Sequence, residues 1–245
     1  KKSLNLLDQK KVFNFLKKNK PKYVIVAAAR VGGVNANNTL RGKFIYENLE
    51  IQNNIIHGSY LNGVKNLIFF GSSCIYPANI SKPIKEKMLL SGNLEYTNEP
   101  YAIAKITGIK LCESLKKQHG FDAISLMPTN LYGPGDNYHP LNSHVMPSLI
   151  RKFTEAKRNK QNCVTCWGSG KPLREFMHVQ DLAEAIVYCL ETWDPFDVNS
   201  PKDKHGDDLH FLNVGTGKDI SIKELVKKIA QAVNYEGEIL WDTNK

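Results

Sequence analysis

Four short, almost unbroken apolar runs alternate with longer stretches of helical periodicity, and this constrains the chain more than any other feature. The runs are Tyr23-Val24-Ile25-Val26, Leu67-Ile68-Phe69-Phe70, Ala123-Ile124-Ser125-Leu126 and Phe211-Leu212-Asn213-Val214. Helical spacing marks Asp8 to Lys18, Phe44 to Leu61, Tyr101 to His119 and Asp181 to Glu191. Strands apolar on both faces are covered on both faces, and regular strand–helix alternation builds parallel βαβ units. The expectation is an α/β fold, a doubly wound parallel sheet whose strands are buried.

The texture changes after Tyr132. Gly133-Pro134-Gly135-Asp136-Asn137 is turn chemistry, followed by a helix over Val145 to Arg158 and a short strand over Cys163 to Trp167. Ser221 with Glu224 three residues on reads as a capping box that opens a helix to about Val233. These segments suggest a smaller α/β lobe. The expected division is 1–133 with about 176–198 and 209–217 in a dinucleotide-binding domain, and 134–175 with about 218–245 in a substrate lobe. Trp193 to Asp208 is polar and reads as an exposed loop.

Composition narrows the partners. The chain has 245 residues, 33 Lys and Arg against 24 Asp and Glu, and a formal net charge of +9. Such a balance suits an anion such as a phosphate-bearing small molecule. The lysines fall in scattered pairs typical of solvated helix faces, without the aromatic-interleaved basic run of a nucleic-acid groove. No apolar run reaches the ~20 residues that span a bilayer, so no membrane partner is expected. The five cysteines, Cys74, Cys112, Cys163, Cys166 and Cys189, form no framework and point to a reducing, cytoplasmic setting. Cys163 and Cys166 make a lone C-x-x-C. On a strand that separation puts the two side chains on opposite faces, so no metal site is expected.

Tyr101 and Lys105 carry the strongest chemical signal. At i and i+4 on a helix they share a face, and a nearby ammonium favours the phenolate. The Tyr then becomes a usable acid or base toward a carbonyl oxygen. Gly71-Ser72-Ser73 closes one apolar strand and Pro128-Thr129-Asn130-Leu131 the next. The carboxyl edge of a parallel sheet is where such folds bind ligands. A Tyr–Lys pair alone is a common surface feature; strand-end Ser, helical Tyr and Lys, then strand-end Pro, in that order, is more specific.

A dinucleotide fold usually carries a Gly-rich turn at a helix N-terminus, and this chain has neither G-x-G-x-x-G nor G-x-x-G-x-x-G. It reads as a Rossmann-like sheet that starts inside the third αβ unit, with its first βαβ missing and its far end trimmed.

Three ordered motifs, Gly71-Ser-Ser-Cys-Ile-Tyr-Pro77, Glu99-Pro-Tyr-Ala-Ile-Ala-Lys105 and Met127-Pro-Thr-Asn-Leu-Tyr-Gly-Pro134, resemble the extended short-chain dehydrogenase/reductases that act on sugar nucleotides. Further stretches are similar to the GDP-L-fucose synthase branch: Ala27-Ala-Ala-Arg-Val-Gly-Gly33 with Ala36-Asn-Asn38, Asn142-Ser-His144, and Trp167-Gly-Ser-Gly170 followed by Arg174-Glu-Phe176. The resemblance covers nearly the whole chain and departs at the loop after Trp193.

The resemblance implies C3 and C5 epimerisation of GDP-4-keto-6-deoxy-D-mannose, then reduction of its C4 ketone with NADP(H) as cofactor. It implies Ser72, Cys74, Tyr101, Lys105 and His144 as catalytic residues, Cys74 and His144 serving the epimerisation. It implies cofactor contacts at Ala28, Phe70, Gly71, Ser72, Ser73, Tyr101, Lys105, Pro128, Thr129, Asn130, Leu131 and His144. It implies substrate contacts at Lys152, Trp167, Arg174 and Asp242, and a homodimer formed across the helices of 44–61 and 101–119. Taken alone, Cys74 would be a small buried hydrophobe, His144 a loop histidine, Trp167 core, and Arg174 a partner of Glu175 or Asp181. His57, His119, His139 and His178 are expected to be structural. The competing functions are another NAD-dependent 4-epimerase or dehydratase, and a non-catalytic binding relative. A dehydratase would place an acidic pair where Ser73-Cys74 stands, and a decayed relative would lose Ser72, Tyr101 or Lys105. Without the Gly-rich turn, the chain as it stands is expected to bind NADPH poorly.

Overall fold

The structure is a computed structural model that describes residues 4–80, 83–140, 143–194, 197–200 and 202–243. The elements run α1 (Gln9–Asn19), β1 (Tyr23–Val26), α2 (Val34–Thr39), α3 (Arg41–Leu61), β2 (Asn66–Phe70), α4 (Glu99–His119), β3 (Asp122–Pro128), β4 (Asn130–Tyr132), α5 (Val145–Arg158), β5 (Cys163–Trp167), β6 (Leu173–His178), α6 (Val179–Thr192), β7 (Phe211–Val214), β8 (Asp219–Ser221), α7 (Ile222–Ala232) and β9 (Glu238–Asp242). They divide into two compact units, Lys1–Thr129 with Leu182–Val214, and Asn130–Asp181 with Gly215–Lys245.

The first unit holds a sheet in the order β1-β2-β3-β7, parallel throughout, with Val26 opposite Phe69, Phe70 opposite Leu126 and Pro128 opposite Val214. The two-residue period of a strand sorts its side chains onto two faces. Leu67, Phe69, Ala123, Met127 and Phe211 pack with Val12 and Leu16 of α1, Ile55 and Ile56 of α3, and Ile106 and Ile109 of α4. Ile68, Phe70, Ile124, Leu126, Leu212 and Val214 pack with Ile186, Cys189 and Leu190 of α6. Helices therefore cover both faces, as the apolar runs require.

β1 departs from expectation. Its apolar run predicts a buried strand, yet Tyr23 and Ile25 are 47% and 48% exposed. Among the described residues β1 pairs only with β2, at the edge of the sheet, and Tyr23 and Ile25, two apart on the strand, share the exposed face of its pleat.

α3 and α4 approach closely. At Gly108 an added Cβ would lie 2.5 Å from the Phe69 ring and 3.0 Å from the Gln52 amide carbon, so the absence of a side chain is what lets α4 sit on β2. Gln52 Nε2 donates to the Ala104 carbonyl at 2.6 Å, pinning the turn that carries Lys105. α4 ends where Gly120 adopts φ +66°, with Lys116, Lys117 and His119 complementing the carbonyl end of the helix dipole.

The second unit contains a three-stranded sheet β4-β6-β8, parallel then antiparallel, and a parallel pair β5-β9. Leu149, Phe153 and Ala156 of α5 meet Val164 and Cys166 of β5 and Leu225, Val226 and Ile229 of α7. The Ser221 hydroxyl accepts from the Glu224 N–H at 3.1 Å, which starts α7 as the capping pattern indicates. Cys163 is exposed and Cys166 buried on β5, on the opposite faces their spacing dictates. Among the described residues no helix is long and apolar enough to cross a membrane.

Candidate active site

The carboxyl edge of the parallel sheet gathers the first group of expected residues. β2 ends at Phe70, and the Gly71 N–H still donates to Leu126 O at 2.9 Å. A Cβ on Gly71 would meet the Met127 sulfur at 2.1 Å, so this position carries the chain closely over β3. Ser72 is extended, and a single 3-10 turn, Ser73–Ile75, follows and presents Cys74. Ala28 lies in the segment after β1, and Pro128 and Thr129 end β3, all within the same unit.

α4 brings in Tyr101 and Lys105. Their i, i+4 spacing puts the Lys105 ammonium 5.8 Å from the centroid of the Tyr101 ring. Tyr101 is held edge-on by the buried Phe44 ring, with centroids 6.4 Å apart. Lys105 is only 3% exposed; its Nζ donates to the Phe70 carbonyl at 2.7 Å and lies 4.6 Å from the Phe69 ring centroid. Cys74 lies close enough to Ser72, Tyr101 and Lys105 for these groups to shift one another's proton affinity. Ser72, Cys74, Tyr101 and Lys105 thus form one cluster.

The electrostatics of this cluster correct one expectation. The i, i+4 pairing predicts that Lys105 lowers the Tyr101 pKa, but burial, with the neighbouring Cys74 adding to it, pushes the phenol up. Burial also pulls the Lys105 ammonium down to about 8, weakening the charge that would stabilise a phenolate. The Cys74 thiol is pushed up to about 11 by burial, which outweighs the Ser72 hydrogen bond and the Lys105 charge. At neutral pH the site therefore holds two protonated donors, a thiol and a phenol, beside a buried ammonium.

Glu95 is a site residue that sequence reasoning missed. Its carboxylate accepts from the Thr97 hydroxyl at 2.5 Å and from the backbone N–H groups of Thr97 and Asn98 at 3.1 and 3.0 Å, and its charge reaches Cys74. It holds the entry of α4, where Asn98 makes no side-chain cap of its own. The one available signal was an acidic residue just ahead of Thr97-Asn98-Glu99-Pro100, a helix-start pattern.

Behind Ala28, the Asn48 side chain of α3 mimics a strand partner. Its Oδ1 accepts from the Arg30 N–H at 2.8 Å and its Nδ2 donates to the Arg30 carbonyl at 3.0 Å, while the Arg30 guanidinium pairs with Glu47. This fixes the Ala27–Gly33 segment against α3.

The remaining expected residues lie in the second unit. Asn130 and Leu131 open β4, and Asn130 Nδ2 donates to Glu175 O at 3.0 Å. His144 is exposed and caps α5 through its backbone, its carbonyl accepting from Ser148 at 3.0 Å. Asn142 lies outside the described residues.

Lys152, Trp167 and Asp242 come together. Trp167 stands opposite Asp242 in the β5–β9 register, and the Lys152 ammonium is 5.6 Å from the Trp167 ring centroid while donating to Thr165 O at 2.6 Å. Trp167 is 65% exposed, so it is a surface platform and not core. Arg174 is exposed on β6 opposite Ile220, with Nη1 on the Leu173 carbonyl at 2.7 Å. Glu175 accepts from Thr216 Oγ1 and the Gly217 N–H, so that carboxylate serves the 216–217 turn. His57 and His119 make ring contacts with Tyr60, and His178 with Tyr132.

The first unit fits the nicotinamide end of a dinucleotide. Thr129 Oγ1 is buried without a hydrogen-bond partner at the end of β3. Lys105 spends one donor on Phe70 O, and an ammonium has three. A ribose hydroxyl and a carboxamide are groups that satisfy such atoms. Among the described residues no cluster of His, Cys, Asp or Glu could hold a metal ion.

Comparison with known proteins agrees with this geometry. A family model described as the NAD dependent epimerase/dehydratase family matches residues 2–200. The chain belongs to that family. Within it, the chain is 51% identical over 242 residues to the putative GDP-L-fucose synthase 2 of Arabidopsis thaliana, covering 99% of this chain and 70% of that one. It is 50% identical to the GDP-L-fucose synthase of Escherichia coli K12, covering 99% and 74%. A solved GDP-mannoheptose C4 reductase from Campylobacter jejuni with NADP bound superposes with a TM-score of 0.86 at 38% identity, covering 99% of this chain and 76% of that one. Membership of this family and the likeness to that reductase account for the parallel α/β sheet.

Proposed function

We propose that the chain carries the GDP-L-fucose synthase activity, converting GDP-4-keto-6-deoxy-D-mannose to GDP-L-fucose by C3 and C5 epimerisation followed by C4 reduction. The observation that carries this reading is the Ser72–Cys74–Tyr101–Lys105 cluster, in a chain about 50% identical to relatives of that name.

Hydrogens on the carbons flanking a ketone are acidic because the anion delocalises onto oxygen. The Ser72 hydroxyl and the Tyr101 phenol are donors for that oxygen, and donors fixed before charge develops cost no reorganisation. Cys74, as its thiolate, takes the proton from one face of the carbon. Burial raises its pKa to about 11, so its own proton must first pass to solvent before the thiolate can act. His144 is the partner acid of this reading and delivers a proton to the opposite face, which inverts the centre. NADPH, when bound, supplies hydride to C4. Tyr101 then gives its proton to the C4 oxygen, and Lys105 holds the ribose and stabilises the tyrosinate left behind. Ala28, Phe70, Gly71, Ser73, Pro128, Thr129, Asn130 and Leu131 line the cofactor.

Lys152, Trp167, Arg174 and Asp242 recognise the GDP part, an aromatic plane and cations suiting a purine and a diphosphate. The reading includes a cytoplasmic homodimer across α3 and α4, where Tyr46 and Ile103 are exposed apolar side chains.

The test is NADPH consumption on addition of the keto-sugar nucleotide; absence of both turnover and NADPH binding defeats the reading. Cys74→Ser is expected to lose solvent-deuterium incorporation at C3 and C5 far more than reduction of a pre-epimerised substrate. Equal loss of both removes Cys74 from the proton-transfer role.

A further inference from the structure

The turn that presents Cys74 is tied to the far strand of its sheet by a side-chain strap. Its own backbone holds it weakly. The turn is closed by i to i+3 bonds, Ile75 N–H to Ser72 O at 3.2 Å and Tyr76 N–H to Ser73 O at 3.3 Å, at the long end of the range for good geometry. One end is anchored by Gly71 to Leu126. The other end is anchored by Tyr76, which is 4% exposed and donates its phenolic hydrogen to Asn213 Oδ1 on β7 at 2.6 Å.

Asn213 is in turn fully engaged. Its N–H donates to Glu86 Oε1 at 2.8 Å and its Nδ2 reaches the Ile84 carbonyl at 3.3 Å. One residue, through its side-chain amide and its backbone N–H, thus joins the segment after Cys74, the end of β7 and the short helical turn Glu86–Met88.

We propose that Asn213, clamped between Tyr76 and Glu86, is a positioning residue that sets where the Cys74 sulfur stands relative to Ser72 and Tyr101. This rests on the reaction assigned above. Ser72 and Tyr101 are placed by the strand end and by α4, which the strap does not touch. Cys74 lies between two anchors, and loss of the Tyr76 hydrogen bond leaves its side of the turn to side-chain packing of Ile75 and the Tyr76 ring and to the more distant Ala78 N–H bond to Asn93 O. A misplacement of about 1 Å at a reacting atom can cost about 100-fold. The strap is therefore required for proton transfer at carbon and dispensable for reduction at C4.

The experiment compares two readouts in the NADPH-loaded protein: deuterium incorporation beside the ketone, and NADPH consumption with a pre-epimerised 4-keto substrate. Tyr76→Phe and Asn213→Leu are each expected to slow incorporation about 10- to 100-fold and to leave the kcat of reduction within about threefold of the unmodified protein. Glu86→Leu should behave like Asn213→Leu, and Glu86→Gln, which still accepts from the Asn213 N–H, should restore incorporation. Equal losses in both readouts, unchanged incorporation, or failure of Glu86→Gln to rescue would overturn the proposal.

If the unmodified protein neither exchanges nor reduces, the assigned reaction fails, and the strap is then judged on the thiol itself. Alkylation of Cys74 by iodoacetamide, followed by mass spectrometry, is expected to quicken several-fold in Tyr76→Phe while the buried Cys112 stays protected. An unchanged Cys74 rate, or equal exposure of Cys112, would overturn the strap.

Discussion

Lys105 is the residue whose surroundings do most to set its chemistry. A free lysine holds its proton to 10.5, and burial brings Lys105 down to about 8. Keeping it charged in the fold costs about 3 kcal/mol at neutral pH, since every tenfold loss of proton affinity corresponds to about 1.4 kcal/mol. Between pH 8 and 10.5 the unfolded chain binds more protons than the folded one at this position, so stability rises with pH across that window. Cys74 works the opposite way above pH 9, because its folded pKa lies above that of a free thiol. Replacing Lys105 isolates its own contribution. Urea denaturation from pH 7 to 10.5 is expected to show the unmodified protein gaining on Lys105→Met by about 3 kcal/mol. A constant difference between the two would mean that Lys105 is not the buried ammonium described. In the proposed reaction the same substitution removes the group assigned to stabilise the tyrosinate and should abolish reduction.

At the scale of elements, the α4–β2 contact decides whether Tyr101 and Lys105 meet the Ser72 strand end. Gly108→Ala improves helix propensity by about 1 kcal/mol and would stabilise an exposed helix. Here its methyl would strike the Phe69 ring, which is fully buried. The expected outcome is a net loss of about 1–3 kcal/mol, read as a lower melting temperature, with loss of reduction as α4 shifts. A stabilised variant would show that α4 does not sit this close.

Elements differ in how legible they are from the sequence. β1, β5, β7 and α5 have the bounds their apolar patterns give, because each pattern is local. β4, β6, β8 and β9 carry no such pattern. β4 and β8 have three residues each, β6 mixes Arg, Glu and His with apolar residues, and β9 is a strand because it lies beside β5. Strand character of that kind is set by neighbours rather than by propensity. The candidate site divides the same way. Ser72, Tyr101 and Lys105 follow from a strand end and one helix turn. Asn213 and Glu86 meet their partners 137 and 127 positions away, which no local pattern encodes.

The whole molecule carries a net charge of +9. Attraction between a cationic surface and a diphosphate is screened beyond about 10 Å at 0.1 M salt. Under the proposed recognition, GDP binding, followed by tryptophan fluorescence, is expected to weaken as salt rises, and Lys152→Ala should weaken binding and flatten that dependence. Affinity indifferent to salt in both proteins would leave stacking on Trp167 as the main source of recognition.

The parallel pairing of β5 with β9 has a further consequence, for how the polypeptide is made. A parallel neighbour cannot be supplied by a hairpin. β5 ends at Trp167, and its partner is not synthesised until Glu238–Asp242. The first unit likewise waits for Phe211–Val214 to complete the β3 edge. On the ribosome, therefore, β5 and the exposed Trp167 lack their neighbouring strand until Glu238–Asp242 emerges. The apolar β5 positions, Val164 and Cys166, are then the surface on which a nascent chain would meet a chaperone.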